Sequence, residues 1–150
     1  MDTKDIEAEA ATLVLDSFTE ATALRLGKIL VDLALADALP VVINIRTADR
    51  TLFHAALPGS APLNDLWARR KSNTALAFQL PSLLVGQRNK AKAEGLDRHG
   101  LPPGDYADSG GAVPVRVKGV GMVAVATVSG LPQVEDHKLV VRGLRALIAG

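Results

Sequence analysis

From Met122 to Ser129 the chain is apolar at nearly every position, and it then passes through Gly130, Leu131 and Pro132 straight into Gln133, Val134, Glu135, Asp136 and His137. A strand with one wet face alternates polar and apolar residues, so a strand this uniformly apolar must be covered on both sides. That requirement predicts a central strand with helices flanking the sheet on two faces. The uncharged stretch Val120 to Val128 reaches only about half of the ~20 residues a membrane helix needs, so no membrane partner is expected.

Other segments fit the same frame. Ser17-Phe18-Thr19-Glu20 matches a capping box, and Leu26, Leu30 and Leu33 keep a 3.6-residue rhythm until Pro40 stops it. Val41, Ile43 and Ile45 alternate as one strand, a turn follows at Ala48 and Asp49, and Thr51 to Leu57 returns as its hairpin partner. Pro62 to Leu80 reads as a helix whose inward stripe is Leu63, Trp67, Arg70, Thr74 and Phe78, ended by Pro81. Gly86 to Gly111, polar and interrupted by Leu101-Pro102-Pro103-Gly104, reads as a long surface excursion with at most one short helix. Val113, Val115 and Val117 alternate as a third strand that Pro114 pushes toward a sheet edge or a strand beginning. The last helix runs from about Pro132 to Ile148. Consecutive hairpins imply a mainly antiparallel sheet, and the expected fold class is α/β of the α+β type: a three-layer α-β-α domain of profilin-like topology. At 150 residues, 48% of them hydrophobic, one domain over residues 1–150 is the expectation, with residues 1–16 as an N-terminal helix or arm.

Charge narrows the function classes. Seventeen basic residues against sixteen acidic ones leave no global field to draw the chain onto nucleic acid, and five aromatics offer few platforms for bases. The absence of cysteine removes disulfides, thiolate metal sites and cysteine nucleophiles, and the acidic start Met1-Asp2-Thr3-Lys4-Asp5 does not resemble an export signal. A cytoplasmic location is expected.

Candidate ligand-binding residues fall into three groups: Arg70, Lys71 and Asn73 on the third helical segment, Ser109, Gly110 and Gly111 before a strand, and Asp136 and His137 at the last helix mouth. A guanidinium offers a bidentate fork for carboxylate or phosphate, which makes Arg70 with Asn73 an anion clamp, while Arg69 and Lys71 read equally as a solvated basic face. Paired glycines allow backbone donors to approach an anion, though they also simply make turns. On the last helix Val134, His137, Val141, Leu144 and Ile148 share the inward stripe, Glu135 faces out, and Asp136 sits on the boundary. Asp136 and His137 are either an acid-base pair or a well-placed helix start, since neighbouring side chains on a helix diverge by about 100°. His54 and His99 are the remaining histidines, and no metal-ligand spacing joins them to His137, so no metal site is expected. No catalytic residue is assigned: hydrolysis with His137 as base would lack a nucleophile elbow.

Taken together, Leu57-Pro58-Gly59, Trp67-Ala68-Arg69-Arg70-Lys71-Ser72-Asn73, Ser109-Gly110-Gly111-Ala112-Val113-Pro114 and Val128-Ser129-Gly130-Leu131-Pro132-Gln133-Val134-Glu135-Asp136-His137 resemble the haem-degrading-domain superfamily, in its branch of short soluble proteins. The resemblance runs in order from about Thr22 to the C-terminus. It implies an α-β-α domain of profilin-like topology that assembles as a homodimer or a higher homo-oligomer, and haem as a cofactor to consider. The expected function is therefore oligomeric small-molecule binding, of haem or a small anion; the alternative is a non-catalytic assembly or adaptor protein.

Overall fold

The computed structural model describes all 150 residues. In chain order the elements are α1 (Thr3–Ala11), β1 (Val14–Leu15), α2 (Glu20–Ala36), β2 (Val42–Arg46), β3 (Thr51–Ala56), α3 (Pro62–Phe78), α4 (Ser82–Lys92), a 3-10 turn at Leu96–His99, β4 (Ala112–Val117), β5 (Gly121–Ser129) and α5 (Gln133–Ala149). The strands form one sheet in the order β1-β4-β5-β2-β3. Only the two-residue β1 runs parallel to its neighbour, β4; the β2–β3, β2–β5 and β4–β5 pairs are antiparallel. The largely apolar strand β5 lies at the centre, with α2 and α5 on one face and α3 on the other.

The α2/α5 face is aliphatic throughout. Ile43, Ile45, Val113, Val115, Ala124, Ala126 and Val128 meet Leu26, Leu30, Leu139, Val140 and Leu144 in one buried cluster. Each fully buried leucine or isoleucine contributes roughly 1.5–3 kcal/mol. The two helices approach closely because Gly143 faces Leu30: a Cβ there would lie 2.4 Å from Leu30 Cδ2.

The other face differs. Side chains alternate along a strand, so Asn44 and Arg46 on β2 and Val125, Thr127 and Ser129 on β5 point toward α3. There α3 buries Ala68, Lys71, Ser72, Thr74 and Ala75. The stripe expected from sequence, led by Leu63, is therefore rotated: Leu63 is 61% and Leu66 59% exposed, whereas Lys71 is 3% exposed. The leucines set the apolar periodicity, yet a sheet face carrying polar side chains is matched by the small and polar side of the helix.

Two further expectations change and a third holds. The cap of helix α2 lies two residues beyond Ser17, at Thr19: the Thr19 N–H donates to Thr22 Oγ1 at 3.0 Å. Helix α4 begins at once after Pro81, runs into the first part of the supposed excursion and packs on α1 and α3, while the 3-10 turn Leu96–His99 follows it. Pro114 sits where β4 has no neighbour on its outer side, because β1 pairs only with Arg116 and Val117. The missing donor of proline thus falls on an unpaired stretch of edge.

Candidate functional site

Lys71 is the pivot of the polar face. Its Nζ donates to Gly110 O at 3.0 Å, to Val128 O at 2.7 Å and to Asp136 Oδ2 at 3.0 Å. An ammonium has three donors, and all are used. Asp136, 2% exposed and not a boundary residue, also accepts from Leu131 N (2.9 Å) and Gly130 N (3.3 Å). The pair therefore ties α3, the 109–111 turn, the end of β5 and the first turn of α5 into one bracket. Burial pushes the Lys71 ammonium below its ordinary pKa and the Asp136 carboxyl above its own, each opposed by the partner's charge.

Two glycines make the bracket possible. Gly111 has φ +133, and a Cβ there would lie 2.4 Å from Lys71 Nζ and 2.5 Å from Val128 O. Gly130 has φ +146 and would bring its Cβ to 2.6 Å from Pro40 O. No L side chain fits either position without moving the backbone.

Above the bracket lies a cleft of about 270 Å³. Lys71, Ser109, Gly110 and Asp136 line it, together with Asn64, Trp67, Ser129, Gly130, Leu131 and Gln133. Its floor carries compensating charges, and its walls carry amides, hydroxyls and one indole. Gln133 Oε1 accepts from Gly110 N at 2.9 Å, holding the rim of the cleft to the start of α5. Asn64 Oδ1 is likewise spent on Ala61 N, which leaves its Nδ2 toward the cavity. Asn64, Trp67 and Lys71 recur at helical spacing, a signal the sequence carried but the leucine periodicity outweighed.

The other candidates lie elsewhere. Arg70 packs its guanidinium 4.2 Å from the Trp67 ring centre and donates from Nε to Pro103 O at 2.9 Å. Asn73 donates to Asp105 O and accepts from Arg46, both at 2.8 Å. Both residues fasten the 102–107 loop to α3. Gly111 lies under the cleft as backbone clearance for Lys71. His137, 1% exposed, points away from Asp136 and donates from Nε2 to Glu9 Oε1 at 2.6 Å, anchoring α1. The roughly 100° step between adjacent helical side chains separates the two.

Haem needs an axial ligand set among apolar walls. No histidine lines the cleft. His54 is held between Asn44 and Asp65, and His99 lies edge-on to Phe78 at 5.4 Å. A more apolar cavity, about 380 Å³ between Trp67, Leu96, Leu101, Pro103 and Tyr106, also lacks a histidine. Neither of these two cavities presents a histidine ligand to a haem.

The chain resembles proteins of known sequence and structure along nearly its whole length. The family model described as haem degrading protein HbpS-like matches residues 18–145. A UPF0303 protein of Streptomyces coelicolor is 48% identical over 145 residues, covering 96% of this chain and 92% of its own length. A UPF0303 protein of Burkholderia thailandensis is 46% identical, covering 97% and 89%. Among solved structures, the Ybr137w protein superposes with a TM-score of 0.89 at 29% identity, covering 99% of this chain and 88% of that one. The PduOC:haem complex superposes with a TM-score of 0.74 at 20% identity, covering 88% and 95%, and at that distance the likeness concerns the fold. With most of its length matched, from the start of α2 nearly to the end of α5, the chain belongs to the HbpS-like haem-degrading protein family.

Proposed function

We propose that this protein binds a small polar molecule in the cleft over the Lys71–Asp136 bracket. One observation carries the reading: a preformed cavity of about 270 Å³ whose hydrogen-bonding walls converge from α3, the 109–111 turn and the first turn of α5. Asn64 Nδ2, the Gln133 amide and the hydroxyls of Ser109 and Ser129 present donors there, and the N-terminus of α5 favours an acceptor-rich ligand, a small carboxylate above all. Lys71 and Asp136 hold the walls rather than the ligand, because their hydrogen bonds are already directed inward.

Trp67 is the only tryptophan and lines the cleft, so its emission reports occupancy. Titration with a panel of small carboxylates and polyols should give a saturable change for at least one class, weakened in Gln133→Ala. A flat response across the panel would remove the reading. Haem is the competing ligand, supported by the family and by the relative solved as a haem complex. It is tested by haemin titration: a one-to-one Soret band lost in His54→Ala or His99→Ala would favour haem over the polar ligand.

Self-association as a homodimer or larger assembly is the second reading. It is favoured by the adjacent exposed leucines Leu63 and Leu66 on α3 and by the open edge of β3. Light scattering of Leu63→Asp against the parent chain tests it, a mass unchanged from a monomer in both removing it. The single-domain organisation and a cytoplasmic location belong to the same reading; no helix is long and apolar enough to cross a membrane.

A further inference from the structure

A second cavity, about 170 Å³, opens between α3 and the β2–β3 hairpin, away from the Lys71–Asp136 bracket. Arg46, Arg69, His54 and Asp65 line it, with Asn44 and Thr51. We propose that this cavity is a binding site for a phosphate-class oxyanion, held between the guanidinium groups of Arg46 and Arg69.

The charges at the cavity do not balance. Two arginines and one carboxylate face the cavity, and the carboxylate is already engaged: His54 Nε2 lies 2.8 Å from Asp65 Oδ1. The other imidazole nitrogen, Nδ1, lies 3.1 Å from Asn44 Nδ2. An amide nitrogen only donates, so Nδ1 accepts and the ring proton sits on Nε2, directed at Asp65. His54 therefore occupies an oxygen of the one carboxylate at the cavity. Neither arginine has a salt bridge to any acid of the chain.

Arg46 is prepared for an anion rather than neutralised. Its Nη1 donates to Ser72 Oγ and Asn73 Oδ1, both at 2.8 Å, and its Nη2 donates to Ala48 O at 3.3 Å. These neutral acceptors fix the plane of the guanidinium and leave Nε–H and one Nη2–H unspent. Burial first, and then the Arg69 charge beside it, push the Arg46 guanidinium below its ordinary pKa, which agrees with two cations sharing a space whose one carboxylate pairs with neither of them. Arg69 makes no side-chain hydrogen bond within the chain and can swing onto a ligand. Two guanidinium forks suit the tetrahedral oxygens of a phosphate group. The volume lies below the ~300–1,000 Å³ of drug-sized ligand pockets, so the ligand is inorganic phosphate or the phosphate end of a monoester whose remainder stays outside.

Arg69 gives a clean test because it fastens nothing. The His54 ring protons are followed by NMR while inorganic phosphate, and separately glycerol phosphate, is added at constant ionic strength set with chloride. The expected result is a saturable His54 shift, with affinity reduced about tenfold or more in Arg69→Ala and restored only in part by Arg69→Lys, which keeps the charge and loses the fork. Tighter binding of inorganic phosphate identifies the free ion as the ligand; tighter binding of the monoester identifies an organic phosphate. Far-UV circular dichroism of Arg69→Ala should match the parent. No saturable shift beyond the chloride control, or equal affinity in Arg69→Ala and the parent, would overturn the proposal.

Discussion

The two faces of the one sheet solve burial in opposite ways. Toward α2 and α5, β2, β4 and β5 present only aliphatic side chains, and packing there is set by volume and shape without regard to hydrogen-bond direction. Toward α3 the same strands present Asn44, Arg46, Thr127 and Ser129, and α3 answers with Lys71, Ser72 and Asn73. Polar groups in a low-dielectric interior must be matched in direction as well as volume. The matching is incomplete: Asn44 Oδ1 and Thr127 Oγ1, on cross-strand partners, are buried without a hydrogen bond. The aliphatic face explains why the chain folds, and the polar face holds both the cleft and the arginine cavity. Both cavities lie where packing is specified by hydrogen bonds and left imperfect.

That contrast can be broken most sharply at the bracket. Lys71→Met strands the Asp136 carboxylate and should cost about 3–5 kcal/mol, measured by urea unfolding. Lys71→Met with Asp136→Asn should recover a large part of that loss, because the orphaned charge is gone while Leu131 N keeps an acceptor. On the aliphatic face Leu30→Ala should cost about 2–5 kcal/mol through a cavity, and no second change on the polar face should restore it. Next in size, Gly143→Ala drives a methyl into Leu30 and should cost about 1–3 kcal/mol by overpacking, leaving the cleft residues unmoved in an amide NMR spectrum.

The pH dependence sharpens the same comparison. A carboxyl raised by folding stabilises below its unfolded pKa, and that contribution is lost as pH rises through the native value; a lysine lowered by folding stabilises above its unfolded pKa and loses this as pH falls through the native value. Wild-type stability, relative to the Lys71→Met/Asp136→Asn double variant, should therefore fall as pH rises through the range just above ordinary carboxyl values. It should rise again on approach to ordinary lysine values. Leu30→Ala should follow the wild-type pH profile at a constant offset. The smallest expected effect is Arg70→Ala, about 0.5–1 kcal/mol from the contact with Trp67, with faster amide exchange confined to residues 102–107.

How far the sequence discloses this depends on which face a residue serves. The apolar run of β5, the alternation of Val41, Ile43 and Ile45, and the turn signals predict the α-β-α layers and the antiparallel hairpins, because aliphatic burial writes itself as periodicity. The rotation of α3 is not legible that way. Leu63 and Leu66 on the outside and Lys71 on the inside invert the usual rule, and only the polar side chains of a sheet paired across long separations decide it. Helix α4 hid behind its polar composition and the break at Pro81. Gly111 and Asp136 were visible as residues of interest, yet their meeting with Lys71 links positions far apart in the chain. The inward direction of His137 is legible from its helical stripe, whereas its partner, Glu9 on α1, is not, because no local pattern exists for it.

The most direct measurement is an amide-resolved NMR titration of the isotope-labelled chain with the small carboxylate or polyol that most perturbs Trp67 emission. The account predicts saturable shifts concentrated at Gly110, Gly130, Leu131 and Gln133 and at the Trp67 indole, with the amides of α2 and of β2 silent. Shifts centred on the α2/α5 face, or spread without saturation over the surface, would contradict it.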